Sequence, residues 1–190
     1  TFYSRNITPD GVGNWTDGEL FRAISSGINR HGKALFPLMP YLTYGKTDQE
    51  DIKSVIAYLR TIKAIPNEVP ESETAFPMNF IVNTIPQKPN FQKRPHPSNQ
   101  IAYGKYLVNA AGCADCHTKT DKGEAIPGMD FAGGVEMNLP GAVIRTANLT
   151  PDKETGLGHW TKAAFIARFK AFDPAAGYKP HLVKPGEKQT

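Results

Sequence analysis

Cys113, Cys116 and His117, in the stretch "NAAGCADCHTKT" from Asn109 to Thr120, are the residues whose types and spacing promise chemistry. They include both cysteines of the 190-residue chain. Three chemistries use thiols at this spacing. Two thiols three positions apart can add to the two vinyl groups of one porphyrin, and the adjacent imidazole is then held as the iron's proximal ligand. A structural zinc site needs four protein ligands, and His31, His96, His159 and His181 form no second ligand pair. A dithiol redox pair or a disulfide is expected in a strand-and-helix framework.

The framework around the motif reads as helical instead. After "YGKTDQED", Ile52, Val55, Ile56, Leu59 and Ile62 recur at helix spacing, with Thr47 and Glu50 as a capping box and Pro66 as the stop. A shorter helix is predicted after Trp15, with Thr16 and Glu19 as its capping box and Leu20, Phe21 and Ile24 on the buried side. Another runs from about residue 100 to 111, with Ile101, Gly104, Leu107, Val108 and Ala111 facing inward, and ends at Gly112 directly before the cysteines. No alternating strand pattern of useful length appears. The fold class is mainly α, with long irregular loops. A helix that carries a glycine and runs into the motif, with an aromatic-rich helix elsewhere to cross it, makes haem the strongest of the three chemistries.

Composition sets the outer limits. The hydrophobic content of 39% is adequate for a core, and the apolar runs are far short of the roughly 20 residues needed to cross a bilayer. The formal charge of +4, from 22 basic and 18 acidic residues, is spread without a block. It is compatible with an acidic protein partner, or with an ordinary solvated surface, and nothing points to nucleic acid. The chain does not begin with a methionine and an apolar leader, so any export signal is expected to be removed or to lie outside these residues.

A repeat organises the chain. Asn6 to Asp10, "NITPD", is echoed by Asn148 to Asp152, "NLTPD", and Gly11 to Thr16 by Gly156 to Thr161, so that both tryptophans, Trp15 and Trp160, occupy equivalent places. The chain therefore carries parts of two similar units. Seven of the sixteen prolines fall between Pro66 and Pro97, a density that excludes a long helix and favours an extended crossing segment. Within it, "FPMNFIVNTI" from Phe76 to Ile85 is too apolar for a free linker and is expected to lie against one or both units.

On these motifs the chain resembles a class I c-type cytochrome, and more closely a tandem dihaem cytochrome c of the bacterial periplasm. "IAYGKYLVNAAGCADCHT" resembles the opening of such a unit, and "LFPLMPYLTYGKTDQEDIKSVIAYLRTIKAIPNEVP" the close of one. The close comes first. The resemblance thus implies residues 1–65 as the second half of one haem domain, 66–97 as the crossing segment, and 98–190 as the first part of the next domain. The alternative is a complete chain folding as one permuted cytochrome; the duplicated tryptophan segment argues against it.

The resemblance implies haem c on Cys113 and Cys116, with His117 as proximal ligand, and makes Met39 in "LFPLMPY" a distal ligand whose partner cysteines lie outside the chain. A second haem is expected there. Counting from Trp160 as from Trp15 to Met39 reaches Lys184, so the distal ligand of the His117 haem is expected beyond Thr190, with His181 as the default alternative. Met129 and Met137 come too early and read as loop packing. Trp15 and Trp160 can donate indole N–H groups near haem propionates, or serve as core aromatics with one polar contact. Arg145 can pair with a propionate, against the plainer reading of a solvated charge. Lys105, Lys119, Lys122 and Lys162 can steer an acidic partner from an exposed haem edge, or be ordinary surface lysines.

Three function classes follow: a free electron carrier, a cytochrome subunit of a dehydrogenase or respiratory complex, and a dihaem peroxidase. Redox partner proteins, such as a dehydrogenase or a terminal oxidase, suit the first two. The peroxidase needs acid and base groups over an open iron position, which no residue marks. Covalent haem attachment in this family implies the periplasm or the extracytoplasmic face.

Overall fold

The computed structural model describes residues 2–121, 123–139, 141–173, 175 and 177. The helices are α1 (Pro9–Val12), α2 (Asp17–Ser26), α3 (Tyr41–Tyr44), α4 (Gln49–Thr61), α5 (Met78–Ile81), α6 (Gln100–Ala110), α7 (Cys113–His117) and α8 (Lys162–Lys170), with a 3-10 turn at Val82–Thr84. Two antiparallel hairpins join them: β1 (Thr120–Asp121) with β2 (Glu124–Ala125), and β3 (Glu136–Leu139) with β4 (Ala142–Arg145). The fold is mainly helical with two small sheets. Contacts divide it into two compact units, Thr1–Gly112 and Cys113–Thr190.

The first unit is built on α2 and α4. Thr16 caps α2 by accepting from the Glu19 amide while the Glu19 carboxylate accepts from the Thr16 amide, the reciprocal box expected from the sequence. Leu20, Ile52 and Ile56 form the buried core, with Val12, Trp15, Phe21, Ile24 and Phe91 packed around it. Burial contributes roughly 1.5–3 kcal/mol for each such Leu or Ile side chain. Arg60, in the last turn of α4, donates to Asp17 Oδ1 at 2.8 Å and to the carbonyls of Val12, Gly13 and Trp15. One guanidinium therefore fixes the loop that precedes α2.

The α4 cap differs from the expected one. Asp48 holds the N-cap and accepts from the Glu50 amide at 3.0 Å, while the Thr47 hydroxyl donates to Tyr44 O at 2.7 Å. A carboxylate at this position also meets the positive end of the helix, and the amides of Arg94 and Glu50 hold Asp48 below the usual carboxylate range. On the same helix Val55 is exposed, which leaves Ile52 and Ile56 as the buried stripe.

The proline-rich segment packs along the first unit. The Asn6 side-chain amide donates to Ile65 O at 2.9 Å, Tyr3 N donates to Ser72 Oγ at 2.9 Å, and Phe91 packs against Phe21 with ring centres 5.4 Å apart and planes tilted by 50°. Val82 is buried, but Phe76, Met78, Phe80 and Ile81 are exposed, so only part of the apolar run finds a covering surface. The division between compact units falls after Gly112.

Helix α6 presents a different face from the one its apolar pattern predicts. Ile101, Leu107 and Val108 are exposed, Ile101 at 88%, and the residue it buries is Tyr106. The reason is polar. Tyr106 Oη accepts from the Asp48 amide at 2.9 Å and donates to Asp51 Oδ2, so the ring can be buried with its hydroxyl satisfied. Desolvation and the hydrogen bond to Asp51 push the Tyr106 pKa up to about 12.

Candidate haem-attachment site

The second unit opens on α7, one and a half turns of helix that hold both thiols and the imidazole. Gly112 enters it with φ of 65°, the left-handed conformation that ends α6 without a Cβ penalty. Cys113 is half-buried, Cys116 is exposed, and both are free thiols.

Two loops stitch α7 in place. Gly133 N donates to His117 O at 2.7 Å, Phe131 N to Thr118 Oγ1 at 3.0 Å, and Leu149 N to Phe131 O at 2.8 Å. Gly133 is itself required: its φ is 73°, and a Cβ there would lie 2.5 Å from the Ala147 carbonyl. Thr118 is buried at the centre of this set.

The decisive contact is His117 Nδ1 to Ala147 O at 2.7 Å. A carbonyl can only accept, so Nδ1 carries a proton, and in the neutral ring the lone pair then lies on Nε2. That is the tautomer an axial iron ligand needs, with its second nitrogen anchored by a main-chain oxygen. The Nδ1 bond, the exposed Cys116 thiol and the half-buried Cys113 thiol fit a covalently attached haem c. Among the described residues no group of three or more His, Cys, Asp or Glu side chains forms a metal cluster, as the zinc reading would require.

The two copies of the repeat share local geometry. Asn6 Oδ1 accepts from Thr8 N at 3.0 Å, and Asn148 Oδ1 from Thr150 N at 2.8 Å. Trp15 N donates to Val12 O, and Trp160 N to Leu157 O. Thr16 and Thr161 then cap α2 and α8. In the second copy, Asp152 Oδ1 accepts from the Thr155 amide at 2.7 Å and the Glu154 amide at 3.1 Å, and these bonds, Thr155 first, lower the Asp152 pKa. A depressed carboxyl pKa contributes order above the ordinary value, lost as pH falls through the folded one. The Thr155 amide should therefore titrate with a midpoint below the ordinary Asp value of 3.8 in NMR shifts followed against pH. A midpoint at or above that value contradicts the contact.

Other expected site residues fall as follows. Met39 is half-buried in the first unit, where its carbonyl accepts from Tyr41 N at 2.8 Å. Trp15 packs on the first core, with the Arg30 guanidinium 6.0 Å from its ring centre. Trp160 is 46% exposed and lines an open groove of about 560 Å³ with His159, Ala164 and Arg168, but Cys113, Cys116 and His117 are not part of that lining. Arg145 donates to Glu136 Oε1 at 2.6 Å across the β3–β4 hairpin. Met129 and Met137 lie in a loop and on β3. His181, Lys184 and Lys122 lie outside the described residues. Phe165, Ile166 and Phe169 of α8 are exposed.

Ala147 was missed. It contributes through its backbone, which no residue type announces. The β3–β4 hairpin was also missed: all eight of its residues are exposed, so no alternation marks it, and the Pro140-Gly141 turn dipeptide was the available signal.

No protein-family profile matches the chain. Among curated proteins, it is 30% identical over 177 residues to the cytochrome c subunit of alcohol dehydrogenase (quinone) from Gluconacetobacter polyoxogenes, covering 85% of this chain and 38% of that one. It is 32% identical over 175 residues to the fructose dehydrogenase cytochrome subunit of Gluconobacter japonicus, covering 84% of this chain and 34% of that one. A diheme cytochrome c-type protein of Cereibacter sphaeroides is 27% identical over 163 residues, covering 80% of this chain and 54% of that protein. The chain thus spans well under two thirds of the length of these relatives. Motif geometry and likeness agree: over most of its length this chain is similar to c-type cytochromes, most of them cytochrome subunits of dehydrogenases.

Proposed function

We propose that this chain carries electrons through covalently bound haem c as part of the cytochrome subunit of a dehydrogenase. The observation that carries the reading is the His117 Nδ1 to Ala147 O bond, which leaves Nε2 free of that contact in the same short helix as the two free thiols. Haem held there supplies a one-electron iron couple. Cys113 and Cys116 fix its edge by thioether bonds, and Ala147 holds the imidazole in one orientation. The relatives that are cytochrome subunits of alcohol, fructose and gluconate dehydrogenases support a dehydrogenase as the electron donor. Attachment outside the cytoplasm, in the periplasm or at the extracytoplasmic face, goes with this reading. Among the described residues no helix is long and apolar enough to cross a membrane.

The finer part of the proposal is two haem units. The repeat, with its matched Asn turns and threonine caps, supports it. Met39 then serves as distal ligand to a haem whose cysteines are not among these residues, and Trp15, Trp160 and Arg145 stand near propionates. Holoprotein from a host that attaches haem c tests both parts. The reduced protein should pass electrons to an acceptor protein at a rate that falls with salt, while peroxide turnover stays negligible. Robust peroxide turnover overturns the carrier role. Met39 sulfur within bonding distance of the iron held by His117 overturns the two-unit arrangement.

A further inference from the structure

We propose that Thr146 is a positioning residue for His117: it fixes the Ala147 carbonyl and, through that oxygen, sets how strongly the imidazole donates to iron. This rests on the reading of Cys113, Cys116 and His117 as the haem site. All the residues involved belong to the second compact unit. Thr146 is half-buried and immediately precedes Ala147, and its three polar groups all bind one neighbouring segment. Its amide donates to Val135 O at 3.0 Å, its carbonyl accepts from Gly134 N at 2.9 Å, and its hydroxyl accepts from Val135 N at 3.1 Å.

The segment that Thr146 grips also holds the histidine. Gly133 N donates to His117 O at 2.7 Å, and Phe131 N donates to Thr118 Oγ1 at 3.0 Å. A closed circuit results. It runs from the His117 carbonyl to Gly133, along the chain to Gly134, across to Thr146, on to Ala147, and back from Ala147 O to His117 Nδ1 at 2.7 Å. Backbone and ring of one histidine are thereby tied to the same frame, so the ring cannot turn without stretching the last contact. On the far side of Ala147, Leu149 N donates to Phe131 O at 2.8 Å. Among these bonds between residues 131–135 and 146–149, the one to the Thr146 hydroxyl is the one that depends on residue type. The first copy of the repeat carries Ser4 two residues before Asn6, as Thr146 stands two before Asn148, so a hydroxyl recurs at this place. A hydrogen bond donated by Nδ1–H raises the basicity of Nε2, which favours ferric iron. Loosening that bond favours the reduced form.

The test uses the holoprotein with Thr146→Val, which keeps the side-chain shape and removes the hydroxyl, and Thr146→Ser, which restores it. Two properties of the histidine are read: the exchange rate of its Nδ1 proton, by NMR in the reduced state, and the midpoint potential of the haem it holds. In Thr146→Val the proton should exchange about fivefold faster, and the ratio of reduced to oxidised haem at a fixed potential should rise about threefold, an upward shift of about 28 mV at 59 mV per tenfold. Thr146→Ala should move both in the same directions, and Thr146→Ser should return both toward the wild-type values. Thermal unfolding is followed alongside. A lower unfolding temperature in the valine and alanine variants with both histidine readings unchanged overturns the positioning role, and so does failure of serine to restore them. Wild-type protein without covalent haem overturns the haem reading itself, whereas attached haem with unshifted readings overturns the role of Thr146 alone.

Discussion

Replacing Cys113 and Cys116 with alanine should abolish covalent haem at this motif, an all-or-none change. The unaltered 190 residues, produced in a host that attaches haem c, should keep colour on the polypeptide after acid-acetone extraction and on a denaturing gel. The double variant should release it or never acquire it. The argument is stoichiometric as well as geometric: these are the only two cysteines in the sequence, and α7 holds both with His117 in five residues. Each thioether needs one thiol, so single replacements should leave a reduced amount of attached haem with an altered visible spectrum. Haem that extracts freely from the unaltered chain would refute thioether attachment.

The second large effect concerns Gly27, far from the cysteines in sequence. Gly27 follows α2 with φ of 72°, and a Cβ there would lie 2.5 Å from Cε1 and Cζ of Tyr41. Tyr41 is fully buried, so its ring has no vacant direction in which to retreat. Alanine at this position incurs the left-handed penalty, about 1–2 kcal/mol, together with overpacking of about 1–3 kcal/mol. A loss of roughly 3 kcal/mol, read by thermal or denaturant unfolding of the holoprotein, is expected from these terms. Because the Gly27 carbonyl accepts from Leu35 N at 2.7 Å, the damage should reach the Met39 loop. A change within about 0.5 kcal/mol, the range of an inert surface substitution, would show that the ring can move after all.

Tyr41 adds a point about what lies beside it. Its hydroxyl is the one buried side-chain polar atom among the described residues with no hydrogen-bond partner, and burial pushes its pKa up. The orphaned group is two residues from Met39.

The sequence by itself determined the local features. A thiol pair followed by imidazole has one reading that uses all three groups, and the Thr16–Glu19 box, the Gly112 turn and the duplicated Asn–Thr turns depend only on neighbours a few residues apart. Such interactions are set by backbone sterics and short-range hydrogen bonds, and these leave a mark in residue type. Tertiary structure decided the rest. Which face of α6 is buried depended on Asp48 and Asp51, more than fifty residues earlier, because a satisfied tyrosine hydroxyl let a ring into the interior while aliphatic neighbours stayed outside. The anchor of His117 is the carbonyl of Ala147, thirty residues later, and a backbone oxygen is common to every residue type. Periodicity measures how apolar a face is, but burial requires a second surface of matching shape and polarity, and only the folded chain supplies one.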